Sequence, residues 1–345
     1  MTNSKAPKQI LIIARRYMGD NVFTSPVVIY PLLADEARQI VVLQYNKLPQ
    51  KIYNDIDPLL KSRITFVNYD GFCKTVIKLR ALGCFDIVIN LSKTSFSRRL
   101  LTLCLRAKVR YNTFFSPVKC NKIANGKRVR TYKFADNAFM FFSNFTNKLL
   151  GANFSYKDVN LLHQDAGKED KGYVLLCPGA SGAYKTWSLQ NFIDLSLALQ
   201  TKGQRVWVLS GSAKSELIAA ERIPAEKIIT GEAEFSDIKH IIKNAGLVVA
   251  NDSGFMHLSA MLGVQTLGVF AQNSPEVYGY PFMPNFKSIT AKGLVCHPCG
   301  HAKAFKLCPF NNSNAAAKQM PLACIASISV KDVLFSMESF FKMPL

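Results

Sequence analysis

Short apolar runs alternate with amphipathic stretches along the whole chain. The runs have the length and β-branched content of buried strands, whereas the stretches between them repeat apolar residues at helical spacing. The predicted strands of the first half are QILIIAR, QIVVLQY, ITFVNY, FDIVINLS and KVRYN, and those of the second half are YVLLCPG, RVWVLSG, KIITG, LVVAND and VQTLGVFAQ. This alternation predicts parallel βαβ units in both halves of the chain.

A polar stretch over residues 163–172, HQDAGKEDKG, interrupts the alternation. It carries charges and glycine without apolar periodicity, which is typical of a domain boundary. The chain has 345 residues, so the sequence predicts an α/β protein with two Rossmann-like domains, over residues 1–165 and 166–345. We expect an interdomain cleft between the carboxyl ends of the two sheets, because α/β proteins bind ligands at such strand ends.

The chain is strongly basic, and its charge is unevenly divided. The net charge is +20, and residues 1–165 hold 26 Lys and Arg against 10 Asp and Glu, whereas residues 166–345 hold 17 against 13. No acidic residue lies between Asp86 and Asp136, where Lys and Arg recur from Lys93 to Lys133. Such a surface attracts phosphates, acidic sugars, nucleic acid or anionic lipid headgroups. A solvated surface that aids solubility is the alternative interpretation.

The sequence shows neither an export signal nor a membrane span. The N-terminal apolar run ILIIA is shorter than the roughly 7–15 residues of a secretory signal, and no run reaches the roughly 20 residues of a span. We therefore expect a soluble or peripheral protein in the cytoplasm, with reduced thiols.

Four of the nine cysteines lie near the C-terminus beside two histidines: Cys296, Cys299, Cys308, Cys324, His297 and His301. The C-x-x-C spacing of the first pair is compatible with a structural zinc, but the last two cysteines do not form a second such pair. Reduced packing thiols explain the cluster as well, and no metal is expected at the functional site.

The first candidate site follows the first predicted strand, in ARRYMGDNVFTSP. Gly19 allows a tight turn, and Asp20 opens the next segment. Asp20 either caps the helix that follows or presents a carboxylate that takes a proton from a hydroxyl. Arg15 and Arg16 beside it are candidates to hold an anionic substrate.

Two further candidate sites lie at strand ends of the second half. In CPGASGAYKTWS, Gly179 and Ser181 belong to a loop of small residues whose backbone N–H groups can approach a phosphate, with Lys185 as a point charge. In SGSAKSE, Glu216 or Ser212 is placed to meet a ribose hydroxyl. A plain strand–helix loop and a capped helix are the respective alternatives.

The fourth candidate is NDSGFMHLSAMLG, which follows the apolar run GLVV. Asp252, Ser253 and Gly254 lie where a helix begins, so that the backbone N–H groups and the helix dipole there can receive a diphosphate. A carboxylate would oppose a phosphate, and we expect Asp252 to bind a hydroxyl or to order the loop. His257, one turn into the helix, is either a structural histidine or a ligand contact.

These motifs stand in one order at four strand ends, and the chain resembles the ADP-heptose:lipopolysaccharide heptosyltransferase family. YMGDNVFTSP is similar to that family's LGD-V--T-P element, PGASGAYKTWS to its PGAS-----K-W element, and NDSGFMHLSAMLGVQTLGVFAQNSPEVYG to its -DTG--HLAAALG-P-V-LFG-T-P---G element. The chain departs from the pattern at Ser253, where threonine is usual, at Gln265, where proline is usual, and in its basic ARRY segment.

The resemblance implies the two-domain GT-B fold and an inverting, metal-independent transfer of a heptose from ADP-heptose to the lipopolysaccharide inner core, without a cofactor. It implies that Asp20 is the general base, that Lys185 binds the donor phosphate, and that residues 252–254 form the nucleotide-binding loop. Glu216 matches the acid that contacts the ribose only if a one-residue shift is allowed.

The implied partners are a nucleotide-sugar donor, an anionic glycolipid acceptor with a lipid A-linked core, and a transient contact with the cytoplasmic face of the inner membrane. No nucleic acid partner is expected. The charge distribution agrees with this, because most of the positive charge lies in the half expected to bind the acceptor.

Other functions remain open on the sequence alone. They are a related GT-B transferase that uses another nucleotide sugar, and a non-catalytic protein that binds anionic glycolipid or nucleic acid. A dinucleotide-dependent oxidoreductase is disfavoured, because no G-x-G-x-x-G precedes an acid by about 20 residues.

Overall fold

The chain divides into two compact units, unit 1 with residues 1–116 and 141–161, and unit 2 with residues 117–140 and 162–345. The assignment of acceptor binding to residues 1–165 and of nucleotide binding to residues 166–345 stays a prediction. The structure, a computed structural model, describes residues 9–15, 18–53, 58–92, 96–112, 119–124, 127–132, 137–155, 172–182, 185–211, 213–271, 273–291 and 323–341.

Unit 1 contains a parallel sheet of five strands in the order β3-β2-β1-β4-β5. The strands are β1 (Gln9–Ile13), β2 (Gln39–Gln44), β3 (Ile64–Asn68), β4 (Phe85–Asn90) and β5 (Ala107–Asn112). The three central strands are almost continuously buried, as expected for a parallel sheet covered on both faces. All five strands were predicted from the sequence.

Within the described residues before the hairpin, six helices accompany this sheet: α1 (Met18–Thr24), α2 (Tyr30–Leu33), α3 (Leu48–Tyr53), α4 (Pro58–Ser62), α5 (Phe72–Ala81) and α6 (Phe96–Cys104). A π-helical turn over Ser25–Ile29 joins α1 to α2. Pro26 and Pro31 lack the backbone N–H that a continuous α-helix needs, which explains why α1 does not run regularly into α2.

Residues 119–150 form elements that the sequence analysis did not predict. The strands β6 (Lys119–Ala124) and β7 (Lys127–Tyr132) pair as an antiparallel hairpin. The helix α7 (Ala138–Leu150) follows, and the boundary between the two units falls inside it, after Met140.

Unit 2 contains a parallel sheet of six strands in the order β10-β9-β8-β11-β12-β13. The strands are β8 (Val174–Cys177), β9 (Val206–Ser210), β10 (Lys227–Thr230), β11 (Leu247–Asn251), β12 (Thr266–Phe270) and β13 (Phe286–Thr290). The helices are α8 (Leu189–Thr201), α9 (Lys214–Glu221), α10 (Phe235–Lys243), α11 (Gly254–Met261), α12 (Pro275–Tyr278), α13 (Ala323–Ala326) and α14 (Val330–Phe341).

Both sheets are doubly wound, which confirms the predicted α/β class with two Rossmann-like sheets. In each sheet the strand order reverses beside the strand that comes first in that sheet, between β1 and β4 in unit 1 and between β8 and β11 in unit 2. Doubly wound proteins bind ligands outside the carboxyl ends of the strands at such a point. The loops that follow β1, β8 and β11 carry most of the predicted site residues. The interdomain cleft stays a prediction.

Candidate functional site

The loop after β8 is fastened to β11 by the side chain of Asn251. This fully buried residue ends β11, donates from Nδ2 to the carbonyl of Pro178 at 2.6 Å, and accepts at Oδ1 from the backbone N–H of Trp187 at 2.9 Å. A buried amide needs such partners. The two hydrogen bonds hold both ends of the loop that carries Lys185, and they fix that loop at the point where the strand order reverses.

Lys185 and Asp252 form an ion pair at the carboxyl ends of β8 and β11. Lys185 Nζ lies 2.8 Å from Asp252 Oδ2, and the side chains are 19% and 3% exposed, respectively. Asn273, which follows β12, donates from Nδ2 to the same carboxylate oxygen. Three loops of unit 2 therefore converge on one buried carboxylate, with the ammonium as its more exposed partner.

The charges of this cluster follow from burial and from the pairing. Burial alone would raise the pKa of Asp252, but the Lys185 ammonium and the hydrogen bonds from Lys185 and Asn273 hold that pKa below its usual value. Burial lowers the pKa of His257 to about 4, in spite of the neighbouring carboxylate. At neutral pH the cluster therefore contains an ionised Asp252 and a neutral imidazole.

His257 lies between Asp252 and Tyr280. Its Nε2 is 3.7 Å from Asp252 Oδ1, and its Nδ1 is 2.8 Å from the hydroxyl oxygen of Tyr280. The histidine is buried within α11. His257 therefore lies next to the ion pair, on the side of Asp252. A direct contact between His257 and a ligand stays a prediction.

Helix α11 begins at Gly254, within the residues 252–254 where a helix start was predicted, and Ser253 is its N-cap residue. The Ser253 side chain makes no capping bond, and its buried Oγ has no hydrogen-bond partner among the described residues. The N-terminus of a helix leaves backbone N–H groups unpaired and carries the positive end of the helix dipole. A buried hydroxyl donor beside that end suits an anionic ligand.

The side chain of Glu216 lies against glycines from two different loops. Glu216 belongs to the first turn of α9. A Cβ atom on Gly179 would lie 3.1 Å from Glu216 Oε1, and a Cβ atom on Gly211 would lie 1.8 Å from Glu216 Oε2. The loops after β8 and β9 therefore approach one carboxylate, and residue 211 has no room for a side chain in this arrangement.

In unit 1, Asp20 forms an ion pair with Arg15. Helix α1 begins at Met18, so Asp20 lies inside its first turn and does not cap it. Asp20 Oδ1 is 3.2 Å from Arg15 Nε, and the side chains are 24% and 10% exposed. The Arg15 guanidinium also lies over the ring of Phe142, 5.8 Å from its centroid. Arg15 therefore orients the Asp20 carboxylate. A contact between Arg15 and an acceptor stays a prediction.

The sequence analysis missed three polar residues of the unit 2 cluster, Asn251, Asn273 and Tyr280. Asn251 could have been noticed as a polar residue that ends a wholly apolar strand, since a buried amide must find partners. Asn273 likewise follows a strand end. Tyr280 gave no signal, because its aromatic neighbours are typical of a core segment.

Several predicted residues lie outside the described part of the chain: Arg16, Ser212, Cys296, Cys299, Cys308, His297 and His301. Cys324 lies in α13. Among the residues that the structure describes, no three His, Cys, Asp or Glu side chains come together as metal ligands do. Within the same residues, no helix combines the length and the apolar character needed to cross a membrane.

The fold defines a class of protein, the doubly wound α/β proteins, which bind ligands at the strand switch point. Residues 78–308 match glycosyltransferase family 9 (heptosyltransferase). The match spans more than half of the chain, and the chain belongs to this family. It is a glycosyltransferase of the heptosyltransferase type, and the resemblance noted from the sequence motifs is confirmed.

Individual relatives agree with this assignment. The lipooligosaccharide heptosyltransferase 2 of Campylobacter jejuni is 26% identical over 313 residues, which are 88% of this chain and 92% of the relative. A glycosyltransferase family 9 structure from Veillonella parvula matches with a TM-score of 0.68 at 16% identity, over 97% of each chain. The E. coli heptosyltransferase WaaC with ADP matches with a TM-score of 0.65 at 14% identity, over 96% of this chain and 99% of that one. At such identities the two structural matches concern the fold.

Proposed function

We propose that this protein transfers a heptose from ADP-heptose to the lipopolysaccharide inner core, with inversion at the anomeric carbon and without a metal ion. The C. jejuni relative is named as a lipooligosaccharide heptosyltransferase, and the E. coli relative WaaC is described with ADP. These names support the donor and the class of acceptor. The site residues support the chemistry.

The proposal rests mainly on the positively charged groups of the unit 2 site. The Lys185 loop and the N-terminus of α11 follow the neighbouring strands β8 and β11, and the Ser253 hydroxyl is buried beside that N-terminus. A departing nucleoside diphosphate carries growing negative charge, and fixed positive groups stabilise that charge in the transition state. Because these protein groups supply the positive charge, the proposal requires no divalent cation.

The acceptor side of the reaction is assigned to Asp20. Its carboxylate takes the proton from the acceptor hydroxyl while that oxygen forms a bond to the anomeric carbon. The bond from the anomeric carbon to the diphosphate oxygen breaks on the opposite face, and its electron pair leaves with the diphosphate. One carboxylate and one cationic phosphate site are sufficient for this displacement, which inverts the configuration.

We further propose that unit 1 meets the anionic acceptor at the cytoplasmic face of the inner membrane. Between Asp86 and residue 116, where this segment of unit 1 ends, the chain carries six Lys and Arg and no acid. Within this stretch α6 exposes Leu100 and Leu103, one turn apart on the same face, and Arg106 follows the helix with its side chain exposed. Exposed leucines next to cations are typical of surfaces that touch anionic lipid headgroups.

The donor is tested by calorimetric binding of ADP, UDP, GDP and NAD, followed by turnover of ADP-heptose with an inner-core acceptor in the presence of EDTA. We expect a preference for ADP, transfer that survives EDTA, and a product of inverted configuration by NMR. Tighter binding of another nucleotide would assign a different donor. If EDTA abolished transfer and an added divalent cation restored it, metal independence would be refuted.

The membrane contact is tested by sedimentation with vesicles that contain anionic phospholipid. We expect retention that falls at high salt and that weakens in the Leu100→Ser/Leu103→Ser variant, since both the charges and the apolar side chains contribute. The exposed Leu59→Ser change is the matched control, because Leu59 lies outside the acid-free stretch. Equal retention by neutral vesicles would contradict the proposal.

A substitution at Gly211 tests whether the position of the Glu216 carboxylate matters for ADP binding. We expect Gly211→Ala to weaken ADP binding about tenfold, because the added methyl group displaces the carboxylate from its place beside Gly179. The melting temperature should change little, since the displaced group is the end of a flexible side chain. In a Glu216→Ala background the same change should have no further effect. Wild-type ADP affinity in Gly211→Ala would show that the Glu216 position is irrelevant to the nucleotide.

A further inference from the structure

Tyr280 lies behind the ion pair of the donor site and reaches it through one imidazole. Its hydroxyl is 2.8 Å from His257 Nδ1, and His257 Nε2 is 3.7 Å from Asp252 Oδ1. Asp252 holds Lys185 on its other oxygen, Oδ2. The side chains of Tyr280, His257, Asp252 and Lys185 thus lie in a row from the core to the more exposed ammonium, with contacts of 2.8 Å at both ends and a longer separation of 3.7 Å between His257 and Asp252.

Burial keeps the phenol and the imidazole of this series neutral, and the tautomer of His257 then sets the direction of the hydrogen bond between them. Burial raises the pKa of Tyr280 well above its ordinary value, and the phenol therefore keeps its proton. A neutral imidazole has one donor and one acceptor nitrogen. If the phenol donates to Nδ1, the imidazole proton sits on Nε2 and faces the Asp252 carboxylate. The opposite tautomer would turn a nitrogen lone pair toward that carboxylate, which is unfavourable.

The Tyr280 ring is held firmly enough to act in this way. It makes edge-to-face contacts with the rings of Phe139 and Phe286, at centroid distances of 5.9 and 5.4 Å, and Tyr280 is only 1% exposed. The segment just before it is held by Asn137, whose Nδ2 donates to the carbonyls of Glu276 and Gly279 at 3.0 and 2.8 Å. The phenol therefore has one well-defined place.

The turn before Tyr280 also requires glycine for close packing. A Cβ atom on Gly279 would lie 2.5 Å from the Pro275 carbonyl oxygen and 2.9 Å from the Phe286 ring. The same post-β12 segment contributes Asn273, which binds Asp252 directly. This segment therefore reaches Asp252 twice, through Asn273 on Oδ2 and through Tyr280 and His257 on the side of Oδ1.

We propose that Tyr280 is a positioning residue for the donor diphosphate: its phenol holds His257 with the proton on Nε2, and the imidazole in turn holds Asp252 so that Lys185 faces the diphosphate. The inference rests on the proposed donor site. It assigns to the post-β12 segment a role in donor affinity that does not involve contact with the donor.

The first test is the tautomer of His257, read from nitrogen NMR shifts of the full-length protein, with the signals assigned by comparison with His257→Gln. We expect a neutral ring protonated on Nε2 at pH 7. In Tyr280→Phe the Nδ1 signal should move toward that of a nitrogen without a hydrogen bond. A wild-type ring protonated on Nδ1 would overturn the proposal, whatever the protein's substrate.

The second test is ADP binding by calorimetry. Loss of one hydrogen bond in the series should weaken ADP binding about three- to tenfold in Tyr280→Phe. In turnover we expect a higher KM for the donor and an unchanged KM for the acceptor. Tyr173→Phe is the matched control, because Tyr173 is also buried in unit 2 and its hydroxyl donates to the Ile241 carbonyl at 2.6 Å. That control should leave ADP binding unchanged.

A double-mutant cycle separates positioning from general stability. In a His257→Gln background, Tyr280→Phe should weaken ADP binding no further, because its effect passes through the imidazole. Additive losses, or unchanged ADP binding in Tyr280→Phe, would overturn the positioning role and leave the proposed function intact. Failure of the wild-type protein to bind ADP at all would refute the proposed donor instead.

Discussion

Replacement of Asp20 by asparagine is expected to lower kcat for sugar transfer by about 10²- to 10⁴-fold, the usual contribution of a general base. The amide keeps the size of the side chain and can still accept a hydrogen bond from Arg15, which lies 3.2 Å from the carboxylate. It cannot take a proton from the acceptor hydroxyl. The change should leave ADP affinity and the melting temperature close to wild type, and steady-state kinetics with calorimetry measure both effects.

The chain offers a matched control for this variant. Asp35 and Arg38 form a second aspartate–arginine pair in unit 1, also at 3.2 Å and also partly exposed. Asp35→Asn removes the same charge from the same kind of ion pair, and we expect its kcat to equal that of the wild type. If Asp20→Asn kept a wild-type kcat, the general base would have to be another residue.

Replacement of Lys185 by methionine is expected to reduce kcat by about 10²- to 10³-fold, the usual cost of removing one group that stabilises a developing anion. It should also weaken ADP binding, because the ammonium is the most exposed charge of the unit 2 cluster. The change leaves the Asp252 carboxylate buried without its cation. Breaking such a pair costs up to about 3–5 kcal/mol of folding stability.

A second variant separates catalysis from stability. In Lys185→Met/Asp252→Asn both charges are absent, so the melting temperature should recover while transfer stays low. Lys287→Met is the control for loss of a lysine from unit 2, since Lys287 lies exposed on the edge strand β13. Normal ADP affinity and kcat in the double variant would remove Lys185 from the donor site.

The sequence predicted all five strands of the unit 1 parallel sheet and five of the six strands of the unit 2 parallel sheet. The exception, β13, lies at a sheet edge and reads FKSIT, with too few consecutive apolar residues to show a buried strand. The hairpin strands β6 and β7 are rich in Lys, Arg and Asn, which weaken the strand pattern. Helix α7 contains four phenylalanines, and phenylalanine is an indifferent helix former.

In the candidate site, features that depend on neighbouring residues were predicted, whereas contacts between residues far apart in the chain were not. A helix start at residues 252–254 was predicted, because the start of a helix depends on residues next to it in the chain. The pairing of Lys185 with Asp252 was not predicted. Those residues are 67 positions apart, and they meet because β8 and β11 are adjacent parallel strands.

By itself, the sequence determined the α/β class, the strand ends that carry chemistry and the family motifs at those ends. Each of these depends on residues close together in the chain, where burial imposes a period of two or 3.6 on the apolar positions. Only the tertiary structure decided that Asp252 binds Lys185 and that Tyr280 binds His257. Such contacts depend on strand order and on packing between distant segments, and periodicity along the chain encodes neither.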